Sequence, residues 1–145
     1  AMPAKERGHF SKTMSPEASK KMFLGAALFN WIIGLGLLFI PALFLSLFSI
    51  SPTPDQSVWV QQFAGLVTVF GLGYYWAAKD LDNNRSIVRL AVWGKSAVVL
   101  IALVNVISGD ISWQFMIPAA GDAAFVVLFM LALKSSKTWR PGAPN

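Results

Sequence analysis

Four long apolar stretches dominate the pattern of hydrophobic and polar positions along the chain. They are residues 22–50, 58–78, 87–108 and 111–133. Only three charged residues interrupt them: Arg89 and Lys95 lie in the third stretch, and Asp122 lies in the fourth. Each stretch has at least the ~20 residues with which an α-helix crosses the hydrocarbon core of a bilayer. The pattern therefore predicts an all-α fold, an integral membrane four-helix bundle.

The segments between the stretches contain residues typical of turns. Ser-Pro-Thr-Pro-Asp follows the first stretch, Asp-Asn-Asn precedes the third, and Ser-Gly-Asp separates the third from the fourth. Before the first stretch, Ser15-Pro16-Glu17 predicts a helix start near residue 16, with serine as the N-cap and proline in the first turn. The predicted organisation is a basic leader over 1–21, a transmembrane domain over 22–134 and a tail over 135–145.

Lysine and arginine positions predict the orientation of the bundle. All 12 of these residues except Lys95 fall in the leader, in the region 79–89 around the middle connection, or at positions 134–140 near the C-terminal end. The first and third connections contain none, and basic loops stay on the cytoplasmic side of a membrane. Both termini are therefore expected in the cytoplasm. Trp59 and Trp113 would then lie at the outer interface and Trp76 at the inner one, as in aromatic belts.

Composition excludes several functions. The chain is 55% hydrophobic and 13% charged, with mean hydropathy +0.56, whereas soluble domains carry about 25% charged residues. A soluble nucleic-acid-binding protein is excluded despite the net charge of +5, because the loop bias already accounts for that charge. The absence of cysteine and the presence of one histidine, His9, argue against disulfides and metal sites. No cofactor and no metal are predicted.

Two charged residues, Lys95 and Asp122, are expected deep inside the membrane. At about 1.5 Å per helical residue, they lie roughly 12 Å and 18 Å from the cytoplasmic boundary. Charges at such depth cost free energy and normally face the interior of a bundle, where they find partners. A lysine side chain could span this difference and pair with the carboxylate. It could also extend towards the cytoplasm, so the pair is one of two possibilities.

Other polar and aromatic residues reach the same layer. Asn30 lies on the first helix at a similar depth, and Tyr74 and Tyr75 lie about one turn inside the second. Trp31 and Trp93 adjoin Asn30 and Lys95 in sequence. A polar floor with aromatic walls is typical of small-molecule sites. The ligand-binding hypothesis comprises Asn30, Trp31, Tyr74, Tyr75, Trp93, Lys95 and Asp122. The alternatives are an intramembrane clamp with a purely structural role, or no contact among these residues.

Prolines and small residues make further predictions about packing. Pro41 and Pro118 predict kinks in the first and fourth helices, because proline leaves a backbone carbonyl without its donor. Small residues on both sides of Asp122, including Ala120 and Ala124, predict that the Asp122 face is the most closely packed part of the bundle.

Short motifs resemble a group of small membrane proteins. They are Tyr75-Trp76-Ala77-Ala78-x-Asp80, Arg85-x-x-x-Arg89 followed by Trp93-Gly94-Lys95, and Gly121-Asp122 before an apolar helix. The chain resembles, over most of residues 22–134, the four-helix bacterial inner-membrane proteins of the DoxX-like and unknown-function groups. The resemblance implies a compact membrane domain of the bacterial inner membrane, in some cases with redox or respiratory partners. It transfers no catalytic residue.

Four functions fit the sequence. The first is a non-enzymatic module that binds lipid or a small hydrophobic or amphipathic molecule, or an accessory subunit of a membrane-protein partner. The second is a proton-coupled transporter that uses Asp122 and works as a homo-oligomer. The third is a structural scaffold, in which the polar residues only fix helix register. An enzyme is the least favoured, because the spans contain no nucleophile–base set and no axial histidine.

Overall fold

A computed structural model of the protein describes residues 14–135 except Pro52, and this part is all helical, with no strand. The elements are α1 (Pro16–Phe39), α2 (Pro41–Ser46), α3 (Pro54–Lys79), α4 (Arg85–Ser108), a 3₁₀ turn (Trp113–Phe115) and α5 (Met116–Ser135). The prediction of an all-α fold is confirmed. Most of the predicted leader and tail, residues 1–13 and 136–145, lies outside the described residues.

The first helix begins where the sequence predicts. Ser15 is the N-cap of α1, and its hydroxyl accepts a hydrogen bond from the Ala18 N–H at 3.2 Å. Pro16 occupies the first turn, where its missing N–H is not needed. Glu17 follows, near the positive end of the helix dipole, and lies 3.6 Å from Lys21 one turn later.

The predicted span over 22–50 implied one continuous helix, but the first apolar stretch is broken. Helix α1 ends at Phe39, Ile40 adopts a non-helical conformation (φ −134°, ψ 51°), and Pro41 starts the short helix α2. Proline has no N–H for the carbonyl four residues earlier, and its ring collides with that turn. Pro41 therefore ends a helix and begins another, which is more than a kink.

The predicted kink at Pro118 is wrong. Helix α5 begins at Met116, directly after the 3₁₀ turn, so that Pro118 lies in its first turn. The first N–H groups of a helix have no partner inside that helix, and proline is tolerated there without bending it.

Within the described residues, three helical segments are long enough and apolar enough to cross a membrane, which is characteristic of an integral membrane protein. They are Pro16–Phe39, Arg85–Ser108 and Trp113–Ser135. Helix α3 is not among them, although it has 26 residues. Its first half contains the exposed glutamines Gln56, Gln61 and Gln62, which lower its mean hydropathy.

The helices pack as two close pairs, α1 with α3 and α4 with α5, whereas contacts between the pairs are sparser. The closest packing is between α1 and α3, so the expectation that the Asp122 face would be tightest is wrong. At Gly34, a Cβ atom would lie 3.0 Å from the Ala64 carbonyl oxygen and 3.0 Å from the Thr68 nitrogen. The absence of a side chain there allows the two backbones to approach.

Helices α3 and α4 are joined by a tight polar turn. The backbone and side-chain N–H groups of Asn83 donate to the Asp80 carboxylate at 3.1 and 2.6 Å, and the Asn84 amide donates to the Asp80 carbonyl at 2.7 Å. The hydrogen bonds from Asn83 hold the pKa of the exposed Asp80 carboxyl below its ordinary value of 3.8. This turn brings the start of α4 next to the end of α3.

An aromatic cluster fills the core at the same end of the bundle. The ring of Phe129 stacks on Phe23 and packs against Tyr74, with centroid separations of 5.1 Å in both cases. All three side chains are almost completely buried. Much of the remaining apolar surface is exposed in the isolated chain, as expected for helices that face lipid.

Candidate ligand-binding site

Lys95 and Asp122 form a buried ion pair between α4 and α5. The Lys95 ammonium donates to Asp122 Oδ1 and, at 3.0 Å, to Asn30 Oδ1 of α1. The two charged side chains keep 8% and 16% of their surface accessible, respectively. The structure therefore brings together three of the predicted residues, from three helices. Lys95 does not extend towards the cytoplasmic boundary, which was the alternative left open by the sequence.

Asn30 is held in one orientation by a second bond. Its amide nitrogen donates to the Val67 carbonyl of α3 at 3.0 Å, which leaves its oxygen to accept from Lys95. This carbonyl lies seven residues before Tyr74, on the same helix. One asparagine thus connects α3, through α1, to the ion pair between α4 and α5.

Aromatic rings surround the Lys95 ammonium. Its nitrogen lies 5.4 to 5.6 Å from the ring centroids of Phe29, Tyr74 and Phe125. At these distances the electron-rich faces of the rings stabilise a cation. The ammonium is therefore compensated by one carboxylate, one amide oxygen and three rings, which explains how a lysine can be buried at this depth.

A cavity of about 210 Å³ adjoins the ion pair. Its polar end is formed by Asn30, Tyr74, Lys95 and Asp122, and the remaining lining is apolar or glycine. The apolar lining comes from α1, α2, α3, α4, the 3₁₀ turn and α5, and includes Ile33, Phe70, Val98 and Ala119. An apolar chamber with a few convergent polar groups is the usual form of a small-molecule site.

Aromatic residues close the end of the cavity opposite the ion pair. Phe44 of α2 and Phe48 of the turn after α2 lie 5.9 Å apart between ring centroids, and Phe48 meets Phe115 of the 3₁₀ turn edge to face at 6.3 Å. All three line the cavity. The break at Pro41 redirects the chain after α1, and Phe44 of α2 lies against Gly36 of α1.

The side of the cavity formed by α3 is more open. Phe63 and Leu66 line the cavity, yet they are 42% and 63% exposed. Side chains that face both the cavity and the outer surface mark an opening. This opening lies near the middle of α3.

Three of the predicted site residues do not line the cavity. Trp31 donates its indole N–H to the Thr68 carbonyl at 3.2 Å and packs 6.1 Å from the ring of Tyr75. The Lys79 ammonium covers the Tyr75 ring at 4.5 Å. Trp93 is 77% exposed and points away from its neighbour Lys95. Adjacent residues of a helix face different directions, which is why sequence proximity to Asn30 or Lys95 is a poor guide.

The sequence interpretation missed Phe29 and Phe125, whose rings cover the ion pair. Helical periodicity could have identified Phe125, because it lies three residues after Asp122 and therefore on the same face. The closure by Phe44, Phe48 and Phe115 has no such signal, because it depends on how α2 folds back. Within residues 14–135, no group of three acidic, histidine or cysteine residues could hold a metal ion.

The arrangement is suited to binding. The ion pair has no net charge, it lies at one end of an apolar cavity, and it combines a hydrogen-bond donor with acceptors. Comparison with known proteins adds nothing to this geometry: no protein-family model, curated protein or solved structure matches the chain.

Proposed function

We propose that this protein is a four-span, non-enzymatic protein of the bacterial inner membrane that binds an amphipathic molecule in the cavity beside Lys95 and Asp122. The observation that carries the proposal is the cavity itself, which has a polar end of four residues and otherwise apolar walls. An amphipathic molecule has the same division, with one polar group and one apolar body. Whether it stores, presents or transfers that molecule depends on a membrane-protein partner.

In the proposed topology α3 also crosses the membrane, which makes four spans with the three apolar segments. Both termini are then cytoplasmic. Helix α3 has 26 residues, enough for about 39 Å at 1.5 Å per residue, and it packs closely along α1. Since α1 is one of the three apolar candidates, a helix packed along it lies at the same depth. The distribution of lysine and arginine supports the orientation.

The size of the cavity supports a small or partly inserted ligand. An apolar cavity of about 150 Å³ in a protein core can hold a benzene molecule. The cavity described here has about 210 Å³ and the opening at Phe63 and Leu66. A ligand can place its polar group at the ion pair and extend an apolar chain through this opening towards lipid. Entry from the bilayer would need no passage through water.

Photo-crosslinking in membrane vesicles tests the proposal. The probe is a ten-carbon alcohol with a diazirine in the middle of its chain, and the readout is the labelled peptide. We expect labelling of cavity residues such as Val67, Val98 and Phe115, and competition by excess unlabelled decan-1-ol. Labelling spread evenly over lipid-facing residues, without competition, would exclude a binding site for such molecules.

Two glycine variants provide a matched comparison. Gly94 lines the cavity and a Cβ atom there meets nothing within 4 Å, so that Gly94→Leu fills the cavity without a clash at Cβ. Gly25 also has open space around it, but it is exposed and does not line the cavity. Gly94→Leu is expected to abolish competable labelling and Gly25→Leu to retain it. Equal labelling of both variants would contradict the proposal.

The structural scaffold is the second candidate, because the Lys95–Asp122–Asn30 contacts alone connect four helices. A scaffold predicts no competable labelling and a large loss of stability when the ion pair is broken. The binding proposal predicts competable labelling together with the same loss of stability, so the crosslinking result separates the two.

A further inference from the structure

We infer that the ligand is an uncharged amphiphile whose headgroup donates a hydrogen bond to Asp122, as a long-chain alcohol does. This inference rests on the proposed function and specifies its ligand class. It follows from three features of the polar end of the cavity: its charge balance, the bonding of each Asp122 oxygen, and the engagement of its N–H donors.

The first feature is charge balance. Lys95 and Asp122 neutralise each other and are the only charged residues that line the cavity within the described part of the chain. An anionic headgroup would face the Asp122 carboxylate and a lysine that is already paired. A cationic headgroup would leave one uncompensated positive charge in a low-dielectric region. Both arrangements are costly, whereas an uncharged headgroup leaves the balance unchanged.

The second feature is the unequal bonding of the two Asp122 oxygens. Oδ1 accepts from Lys95, whereas no donor among residues 14–135 reaches Oδ2. Asp122 lines the cavity and is the more accessible member of the pair. A carboxylate oxygen is an acceptor only, so the complementary ligand group is a donor. Hydrogen bonds to ionised acceptors are stronger than those between neutral groups, so this contact can select among headgroups.

The third feature is that three N–H groups at this site are already engaged. The Asn30 amide nitrogen is bonded to Val67, and two of the three Lys95 N–H groups are directed to Asn30 and Asp122. Three rings surround the same ammonium. A headgroup that can only accept, such as an ether or an ester, therefore finds few free donors, chiefly the third Lys95 N–H and the Tyr74 hydroxyl. A hydroxyl can donate to Asp122 and does not depend on them.

The inferred pose places the hydroxyl at Asp122 and the chain along the apolar walls. From the polar end, the lining continues past Phe70 and Val98 towards Phe63, Leu66 and Phe115. The opening at Leu66 gives a chain that is longer than the cavity a way out towards lipid. The ligand is therefore expected to bind in one orientation, because the opposite pose would bury the hydroxyl among aromatic rings without an acceptor.

A competition series on the unaltered protein tests the headgroup. Four unlabelled competitors share the ten-carbon chain: decan-1-ol, decyl methyl ether, decanoate and decylammonium. Each competes with the diazirine alcohol in the same vesicles, and competitor concentrations are expressed per lipid to correct for partitioning. We expect the alcohol to compete at least about tenfold better than each of the others. A tenfold ratio corresponds to the free energy of one hydrogen bond to a charged acceptor.

The outcomes separate this inference from the proposed function. If the ether competes as well as the alcohol, the headgroup inference is wrong and binding in the cavity stands. If decanoate or decylammonium competes best, the inferred preference for an uncharged ligand is overturned. If none competes, both the inference and the proposed function fail.

The position of the diazirine tests the pose. A diazirine next to the hydroxyl is expected to label the segments around Tyr74 and Asp122, and one at the end of the chain those around Phe63 and Phe115. The reversed assignment would overturn the inferred contact between hydroxyl and carboxylate. The result does not depend on any variant, so it cannot be lost through failure to fold.

Discussion

Contacts with other residues stabilise the Lys95 ammonium in the protein interior. It is buried next to one carboxylate, one amide oxygen and three aromatic rings, and each partner comes from another part of the chain. Removing only one member of a buried ion pair leaves an uncompensated charge in a region of low dielectric. Replacing both members by apolar residues removes the charge altogether.

The first prediction concerns this ion pair. Lys95→Met alone is expected to lower the free energy of unfolding by about 3–5 kcal/mol, because it leaves the Asp122 carboxylate buried and unpaired. The double variant Lys95→Met/Asp122→Leu is expected to recover most of this loss. Equilibrium unfolding in mixed micelles measures both, with Lys21→Met on the exposed start of α1 as a control that changes little. Additive losses in the double variant would contradict the prediction.

Asp80 allows a prediction about pH. Its folded-state pKa is depressed by the hydrogen bonds from Asn83, so the folded state binds the proton less readily than the unfolded chain does. Its contribution to stability is therefore fully present above the unfolded-state pKa near 4 and is lost as pH falls through the lower folded-state value.

This pH dependence can be measured from melting temperatures between pH 6 and pH 2.5. Asp80→Asn cannot titrate, so it is expected to show a shallower decline than the unaltered protein below pH 4. The effect is small, because Asp80 is exposed and only one turn is involved. Identical acid profiles of the two proteins would contradict the prediction, because protonation of Asp80 would then have no effect on stability.

At the scale of elements, small residues determine which helices pack closely. The backbones of α1 and α3 approach at Gly34, and Gly71 accommodates the indole of Trp31 in the same way. At Gly36, a Cβ atom would instead meet the ring of Phe44, which lies on α2. The glycines of α1 therefore serve two purposes: one allows a helix pair to form, and another makes room for the closure of the cavity.

Gly34→Ala tests the α1–α3 contact. Its Cβ would meet backbone atoms of Ala64 and Thr68 at 3.0 Å, which cannot rotate away, so we expect a loss of about 1–3 kcal/mol. Gly25→Ala, on the same helix but with open space at the Cβ position, is expected to be neutral or to gain up to about 1 kcal/mol from helix propensity. Unfolding measurements on the pair in one detergent give the comparison. Equal effects would exclude close packing at Gly34.

At the scale of the whole molecule, the proposed topology depends on α3. If α3 crosses the membrane, Ser51 and Asp110 lie outside, and Ser86 in the first turn of α4 lies inside. If α3 rests on the membrane surface, Ser51 and Ser86 lie on the same side. The 145-residue sequence contains no cysteine, so each position can be tested with a single introduced thiol.

Labelling with a membrane-impermeant maleimide on intact cells distinguishes the two arrangements. Ser51→Cys and Asp110→Cys are expected to react directly, and Ser86→Cys only after the membrane is permeabilised. All three residues are exposed, so failure to react reflects the side of the membrane and not burial within the protein. Equal reactivity of Ser51→Cys and Ser86→Cys would overturn the four-span topology.

The sequence by itself determined the helical fold and part of the site. Long uncharged stretches and turn residues sufficed for the helices, because a backbone without water must satisfy its own hydrogen bonds. The cost of burying charge placed Lys95 and Asp122, with Asn30, in one candidate set of seven residues, because buried charges normally find partners. The sequence left contact among them as one of several alternatives. Ser15 and Pro16 likewise act locally, and the start of α1 follows from them.

Only the tertiary structure decided where each side chain points and what encloses the cavity. Trp31 and Trp93 adjoin the polar residues in sequence, but helix rotation turns them elsewhere. Phe29 joins the site because α1 faces Gly121 of α5, where a Cβ atom would meet its ring. The aromatic closure at Phe48 and Phe115 brings together residues far apart in the chain. Such contacts depend on the relative rotation and separation of whole helices, which local patterns do not specify.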